Sequence, residues 1–138
     1  MFVSMLLMRI KGNTAVLTSA GMPYPLIYRA ATQTVEEVIL KGMPLGAFAD
    51  FPYEQKELQL SVGDTIILMS DGFPEMFNNK QETLDSSRVI EIFQEVGHKS
   101  PQEIIEHLSK TGEKWAGGKT QDDDVTYFVD NALRVLNG

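Results

Sequence analysis

Thr65-Ile66-Ile67-Leu68-Met69-Ser70-Asp71-Gly72-Phe73-Pro74-Glu75 is the stretch whose reading decides the fold. Its first five residues are β-formers or apolar, and the run stops at an acid and a glycine. An unbroken apolar run of this length predicts a strand buried on both faces. The Asp71 carboxylate should emerge where that strand leaves the core. Strand ends over a rigid sheet are common places for catalytic groups.

Upstream of this run, Ser61-Val62-Gly63-Asp64 reads as the turn into the strand, with Gly63-Asp64 at its tip. Residues 57–60 alternate polar and apolar, which predicts a half-exposed strand. Lys41-Gly42-Met43-Pro44-Leu45-Gly46 is a rigid turn, and residues 35–40 and 25–29 are short strands joined by residues 30–34. Ser19-Ala20-Gly21-Met22-Pro23-Tyr24-Pro25 is a loop whose prolines and glycine fix the backbone path. The chain opens with two apolar runs, residues 2–10 and 14–18, separated by Lys11-Gly12-Asn13. That pattern predicts an antiparallel hairpin with Gly12 at positive φ.

Downstream the period changes. Val89, Ile92, Phe93 and Val96 fall at i, i+3, i+4 and i+7, one face of a helix, with Gly97 as its expected C-cap. Ser100-Pro101-Gln102-Glu103 reads as an N-cap, a first-turn proline and a capping box. Ile104, Ile105 and Leu108 give the second helix its apolar stripe, which Trp115 would close. Ala116-Gly117-Gly118 reads as a flexible loop. Asp122-Asp123-Asp124 then leads into the strand-like run Val125-Thr126-Tyr127-Phe128-Val129. Many antiparallel strands, a helix pair and a last strand make an α+β fold, with no internal boundary apparent over residues 1–138.

Composition narrows the function classes. Of 138 residues, 43% are hydrophobic and 22% charged, as in a soluble globular protein with a real core. The formal net charge is −7, and Lys and Arg are scattered singly, which argues against nucleic acid as a partner. Absence of cysteine removes disulfides, thiolate nucleophiles and Cys-ligated zinc, and fits a cytoplasmic location. No apolar run approaches the roughly 20 residues of a membrane span, and the apolar opening, residues 1–7, lacks the marks of a signal peptide.

The chemistry candidates are few. His98 and His107 read as surface residues, no Ser-His-Asp set assembles, and the glycines lack nucleotide-loop spacing. What remains is acid. If the strand ending at Asp71 and the one beginning after Asp122–Asp124 are antiparallel neighbours, their carboxylates project at one sheet edge. A hard divalent cation relieves the repulsion of gathered carboxylates. A turn at Asp71-Gly72 and a solvated acidic loop remain the plain alternative.

Four pieces in order resemble the metal-dependent serine/threonine protein phosphatases, specifically the C-terminal part of the bacterial SpoIIE-type domain. Residues 19–26 resemble the family's Ala-Gly-His-Pro-Pro-Pro-Leu loop, and residues 42–46 its Pro-Leu-Gly turn. Gly63-Asp64 with residues 66–75 resembles its Gly-Asp, strand, Thr-Asp-Gly, Glu segment. Asp123-Asp124-Val125-Thr126 resembles its closing motif. The resemblance implies a four-layer αββα sandwich of two antiparallel sheets, N-terminally truncated here. It implies a site for two Mn²⁺ or Mg²⁺ ions, where a metal-bound water attacks phosphoserine or phosphothreonine. On it, Asp71 and Asp123 are the metal ligands, with Gly72, Asp122 and Asp124 beside them. Which of the three consecutive acids is the direct ligand stays open.

Two departures go with the likeness. Met22 stands where the family loop often carries His. The family's earlier motif, an Asp followed by Ser-Gly-His-Gly, does not occur, so the chain is expected to be inactive alone and to bind ions weakly at most. The resemblance further implies a phosphoprotein substrate, such as an anti-sigma-factor antagonist, and an upstream sensor or receiver domain in bacterial signalling. The shortened domain should self-associate as a homodimer through the apolar residues 1–7, which light scattering would reveal. A non-catalytic phosphatase-like scaffold, or an unrelated acidic β-rich binding domain, would share most of these features.

Overall fold

The computed structural model describes residues 1–118 and 125–131. Seven strands and two helices run in the order β1 (Met5–Lys11), β2 (Thr14–Ala20), β3 (Leu26–Arg29), β4 (Thr34–Glu37), β5 (Lys56–Gln59), β6 (Thr65–Met69), α1 (Asp85–Val96), α2 (Pro101–Ala116) and β7 (Tyr127–Asn131). They form a three-stranded sheet, β1-β2-β5, and a four-stranded sheet, β4-β3-β6-β7, with every pairing antiparallel. The sheets stack face to face and both helices cover the four-stranded one. The fold is the α+β sandwich of two antiparallel sheets that the sequence predicts, with three of its layers among the described elements. No helix among the described residues is long and apolar enough to cross a membrane.

The central strand is β6, between β3 and β7. Its alternation explains the unbroken apolar run. Ile67 and Met69 face the helices with Phe73, Phe93, Ile104 and Leu108, whereas Ile66 faces the other sheet with Leu17, Ile27 and Leu60. Two cores share one strand, so both of its faces need apolar side chains.

Hairpin β1–β2 turns at Gly12, φ +60°, with Lys11 opposite Thr14. The strand expected at residues 35–40 pairs only over Thr34–Glu37, and Val38 and Leu40 continue beyond it as buried core residues. The Ser100 hydroxyl accepts the Glu103 amide, as the N-cap reading predicts, and donates to the Glu103 carboxylate.

Gly97 is the C-cap of α1 as expected, and Gly117 corrects the sequence reading. Gly97 ends α1 at φ −59°, within the range of any residue. Its constraint is contact: a Cβ there would lie 2.3 Å from the Tyr28 ring. Gly117, expected in a flexible loop, is instead the left-handed cap of α2, its amide donating to the Glu113 and Lys114 carbonyls.

Candidate functional site

The antiparallel register brings four chain segments to one edge of the four-stranded sheet. Leu26 pairs with both Ile67 and Glu37, so the loop before β3 and the end of β4 lie beside the end of β6. Met69 pairs with Tyr127, so the start of β7 reaches the same edge. Pairing continues one residue further: the Ser70 amide donates to the Thr126 carbonyl at 3.0 Å, and the Thr126 amide to the Ser70 hydroxyl at 2.9 Å.

Asp71 follows at once and is exposed. The Glu75 amide donates to its carbonyl at 3.0 Å and closes the turn. Between them Gly72 is buried and Phe73 fully so, its ring edge-on to Tyr127 at 5.2 Å. Burial at this contact pushes the Tyr127 phenol well above its ordinary range and keeps it neutral. The ring of Phe73 lies under α2 against Gly112, where a Cβ would come within 3.2 Å. Asp71 thus sits on a turn anchored on both sides, by Ser70 against Thr126 and by Phe73 in the core.

The two other motif turns brace this edge. Gly21, φ +76°, packs on Pro44, and its amide donates to the Gly42 carbonyl at 2.9 Å. Gly42 in turn lies so close to the Ser19 carbonyl that no side chain fits. The pairs resembling the phosphatase loop and turn are therefore docked on one another. The Gly63-Asp64 pair plays a different part, well away from Asp71. Asp64 is buried, and its carboxylate accepts from Arg29 at 3.0 Å and from the Ala30 and Ser61 amides.

A cleft of about 500 Å³ opens beside Asp71. Its lining includes Met22 and Tyr24 from the loop, Glu37, Glu75, and Asp85 at the start of α1. Asp85 has φ +61°, and its Oδ1 accepts the Arg88 amide at 3.2 Å, so it acts as the N-cap of α1. Sequence reading missed Glu37, Glu75 and Asp85 as neighbours of Asp71. Register brings Glu37 to this edge, the Asp71 turn itself carries Glu75, and the hydrogen bond from the Asp85 amide to the Pro74 carbonyl brings in the start of α1. His98 is exposed and His107 partly exposed beside Glu95, as expected of surface residues.

Asp122, Asp123 and Asp124 lie outside the described residues. Among the described residues no three His, Asp or Glu side chains are gathered closely enough to hold an ion. The donor type at Asp71, an exposed carboxylate, suits Mg²⁺ or Mn²⁺ rather than a softer metal.

A family model described as Stage II sporulation protein E (SpoIIE) matches residues 1–131. The chain belongs to the SpoIIE family. Solved structures with the same fold include the Mn-presoaked phosphatase domain of SpoIIE from Bacillus subtilis. That match has TM-score 0.72 and 23% identity, and covers 93% of the SpoIIE-family chain and 56% of the solved one. The SiaA-PP2C domain of Pseudomonas aeruginosa matches with TM-score 0.68 and 22% identity, over 85% of this chain and 45% of that one. A structure of RsbU and RsbW domains from Mycobacterium tuberculosis matches with TM-score 0.69 and 22% identity, over 91% and 35%. The SpoIIE-family chain thus spans about half the length of these solved relatives or less. A search of curated proteins gives no match.

Proposed function

We propose that this SpoIIE-family chain supplies one side of a metal-dependent serine/threonine protein phosphatase site, used in bacterial signalling. The observation that carries the reading is Asp71, exposed on a turn anchored beside the start of β7 and inside the residues that the family model matches. Asp71 and Asp123 would hold Mn²⁺ or Mg²⁺, with Gly72, Asp122 and Asp124 close by. Bound there, such ions lower the pKa of water and neutralise phosphoryl charge. The chain's own contribution is placement. The Ser70–Thr126 contacts hold the Asp71 turn in register with β7, and buried Gly72 and Phe73 keep the carboxylate directed outward.

The substrate on this reading is a phosphoprotein, with an anti-sigma-factor antagonist as the candidate that the family resemblance implies. An upstream sensor or receiver domain, a cytoplasmic location and self-association through the exposed residues Met1, Phe2, Val3, Met5 and Leu7 belong to the same reading. Hydrolysis of p-nitrophenyl phosphate with Mn²⁺ tests it. The 138-residue chain alone should turn over none. A reading frame that joins it to an Asp and Ser-Gly-His-Gly segment should be active. In that frame Asp71→Asn should lower kcat at least about a hundredfold, the scale of losing a metal's support. Brisk turnover by the chain alone, or an active Asp71→Asn frame, would contradict the assignment. The second reading is a non-catalytic binding module that shares the fold. It predicts a joined frame with no turnover at all.

A further inference from the structure

The cleft beside Asp71 has a chemistry that ion binding does not use. Its floor is apolar: Leu26, Met69 and Val89 are buried there, with Met22 and Pro74 half-buried above them. Its rim is acidic. Glu37, Asp71, Glu75 and Asp85 all line it and are all exposed, and no Lys or Arg among the described residues does. None of these four carboxylates forms a salt bridge among the described residues. They come from the end of β4, the turn after β6 and the start of α1, too dispersed to close around one ion. Like charges around a low-dielectric floor focus a negative potential along the length of a groove.

We propose that this cleft is a docking groove for a segment of the substrate protein. It seats an apolar side chain on Met69 and Val89 and sets Lys or Arg residues of that segment against Glu37, Glu75 and Asp85. The inference rests on the phosphatase reading, because it places the phosphorylated residue at the Asp71 end and its neighbours along the groove. Charge selects the occupant. A free anion would meet four carboxylates and, among the described residues, no cationic side chain. A second copy of this chain, net charge −7, would bring mostly like charge to the rim. A cationic, partly apolar peptide satisfies both floor and rim, and its volume suits a cleft of about 500 Å³.

The test needs neither metal nor turnover. The ¹⁵N-labelled full chain is titrated at low salt with two blocked, unphosphorylated peptides, Ala-Arg-Leu-Ser-Val-Arg-Ala and Ala-Glu-Leu-Ser-Val-Glu-Ala. The basic peptide should shift the amides of Gly21, Tyr24, Ser86 and Val89 in a saturable way, and the acidic one should shift none. The double variant Glu37→Gln with Asp85→Asn should bind the basic peptide about fivefold more weakly, the combined effect of two partly exposed charge pairs. Asn keeps the cap and tolerates the left-handed backbone at residue 85, and a dispersed amide spectrum reports that the variant is folded. Equal binding of both peptides, shifts centred elsewhere, no shifts, or an unweakened folded variant would overturn the groove. Because the titration is metal-free, such a failure leaves Mn²⁺ binding at Asp71 as a separate question.

Discussion

Asp64 and Asp71 stand seven positions apart and answer to different physics. Asp64 is 1% exposed, and its carboxylate is saturated by the Arg29 guanidinium and two backbone amides. It ties the turn before β6 to the end of β3. Asp71 is exposed and forms no salt bridge among the described residues. Removing Asp64 leaves the Ala30 and Ser61 amides without their acceptor, at a cost of about 3 kcal/mol together, while the partly exposed Arg29 keeps Glu36 and the Gln59 carbonyl. Substituting an exposed carboxylate stays within about 0.5 kcal/mol. Urea denaturation should therefore show Asp64→Ala destabilised by about 3 kcal/mol and Asp71→Ala nearly unchanged. Similar losses for both would mean that Asp71 is a structural residue. The sequence marks each as an acid at a turn. It offers only Asp71 as a ligand, and the burial of Asp64 was not legible because Arg29 lies 35 residues away.

At the scale of elements, periodicity carried most of the fold. Thr65–Met69 is a strand buried on both faces, the hairpin turns at Gly12, and α2 starts at the Ser100 cap. Glycine roles were harder to read, because helix caps and close contacts use the same residue. Gly97 and Gly112 show how to tell them apart. Alanine is the better helix former by about 1 kcal/mol, so each Gly→Ala change starts with a gain. At Gly112 the new Cβ would meet Phe73 at 3.2 Å and the end of the Met76 side chain at 3.5 Å, and small shifts can absorb both. At Gly97 it would lie 2.3 Å from a buried ring that sits between β3 and α1. Thermal denaturation should find Gly112→Ala within about 1 kcal/mol of the parent and Gly97→Ala destabilised by about 2 kcal/mol or more. A stabilised Gly97→Ala would show that the α1–β3 contact yields, and that its close fit is not what requires glycine.

For the molecule as a whole, the sequence carried the layer order and the likeness to one family. The cleft was not legible. Glu75 shares the Asp71 turn, but Glu37 arrives only because β3 pairs with β4 and β6 in one register, and Asp85 only through the hydrogen bond from its amide to the Pro74 carbonyl. Register depends on which faces are buried and on turn geometry, so it follows from the assembled sheets and not from any local pattern. The expected approach of the last strand to Asp71 did follow from simple antiparallel neighbours, and β6 and β7 pair as expected up to Thr126. The central claim is that a divalent ion binds at this edge through Asp71. Titrating the ¹⁵N-labelled chain with Mn²⁺ tests it most directly, with Mg²⁺ as the diamagnetic control. The account predicts paramagnetic broadening centred on the amides of Ser70, Gly72 and Thr126, and its loss from that centre in Asp71→Asn. Broadening centred elsewhere, or a pattern unchanged by Asp71→Asn, would contradict it.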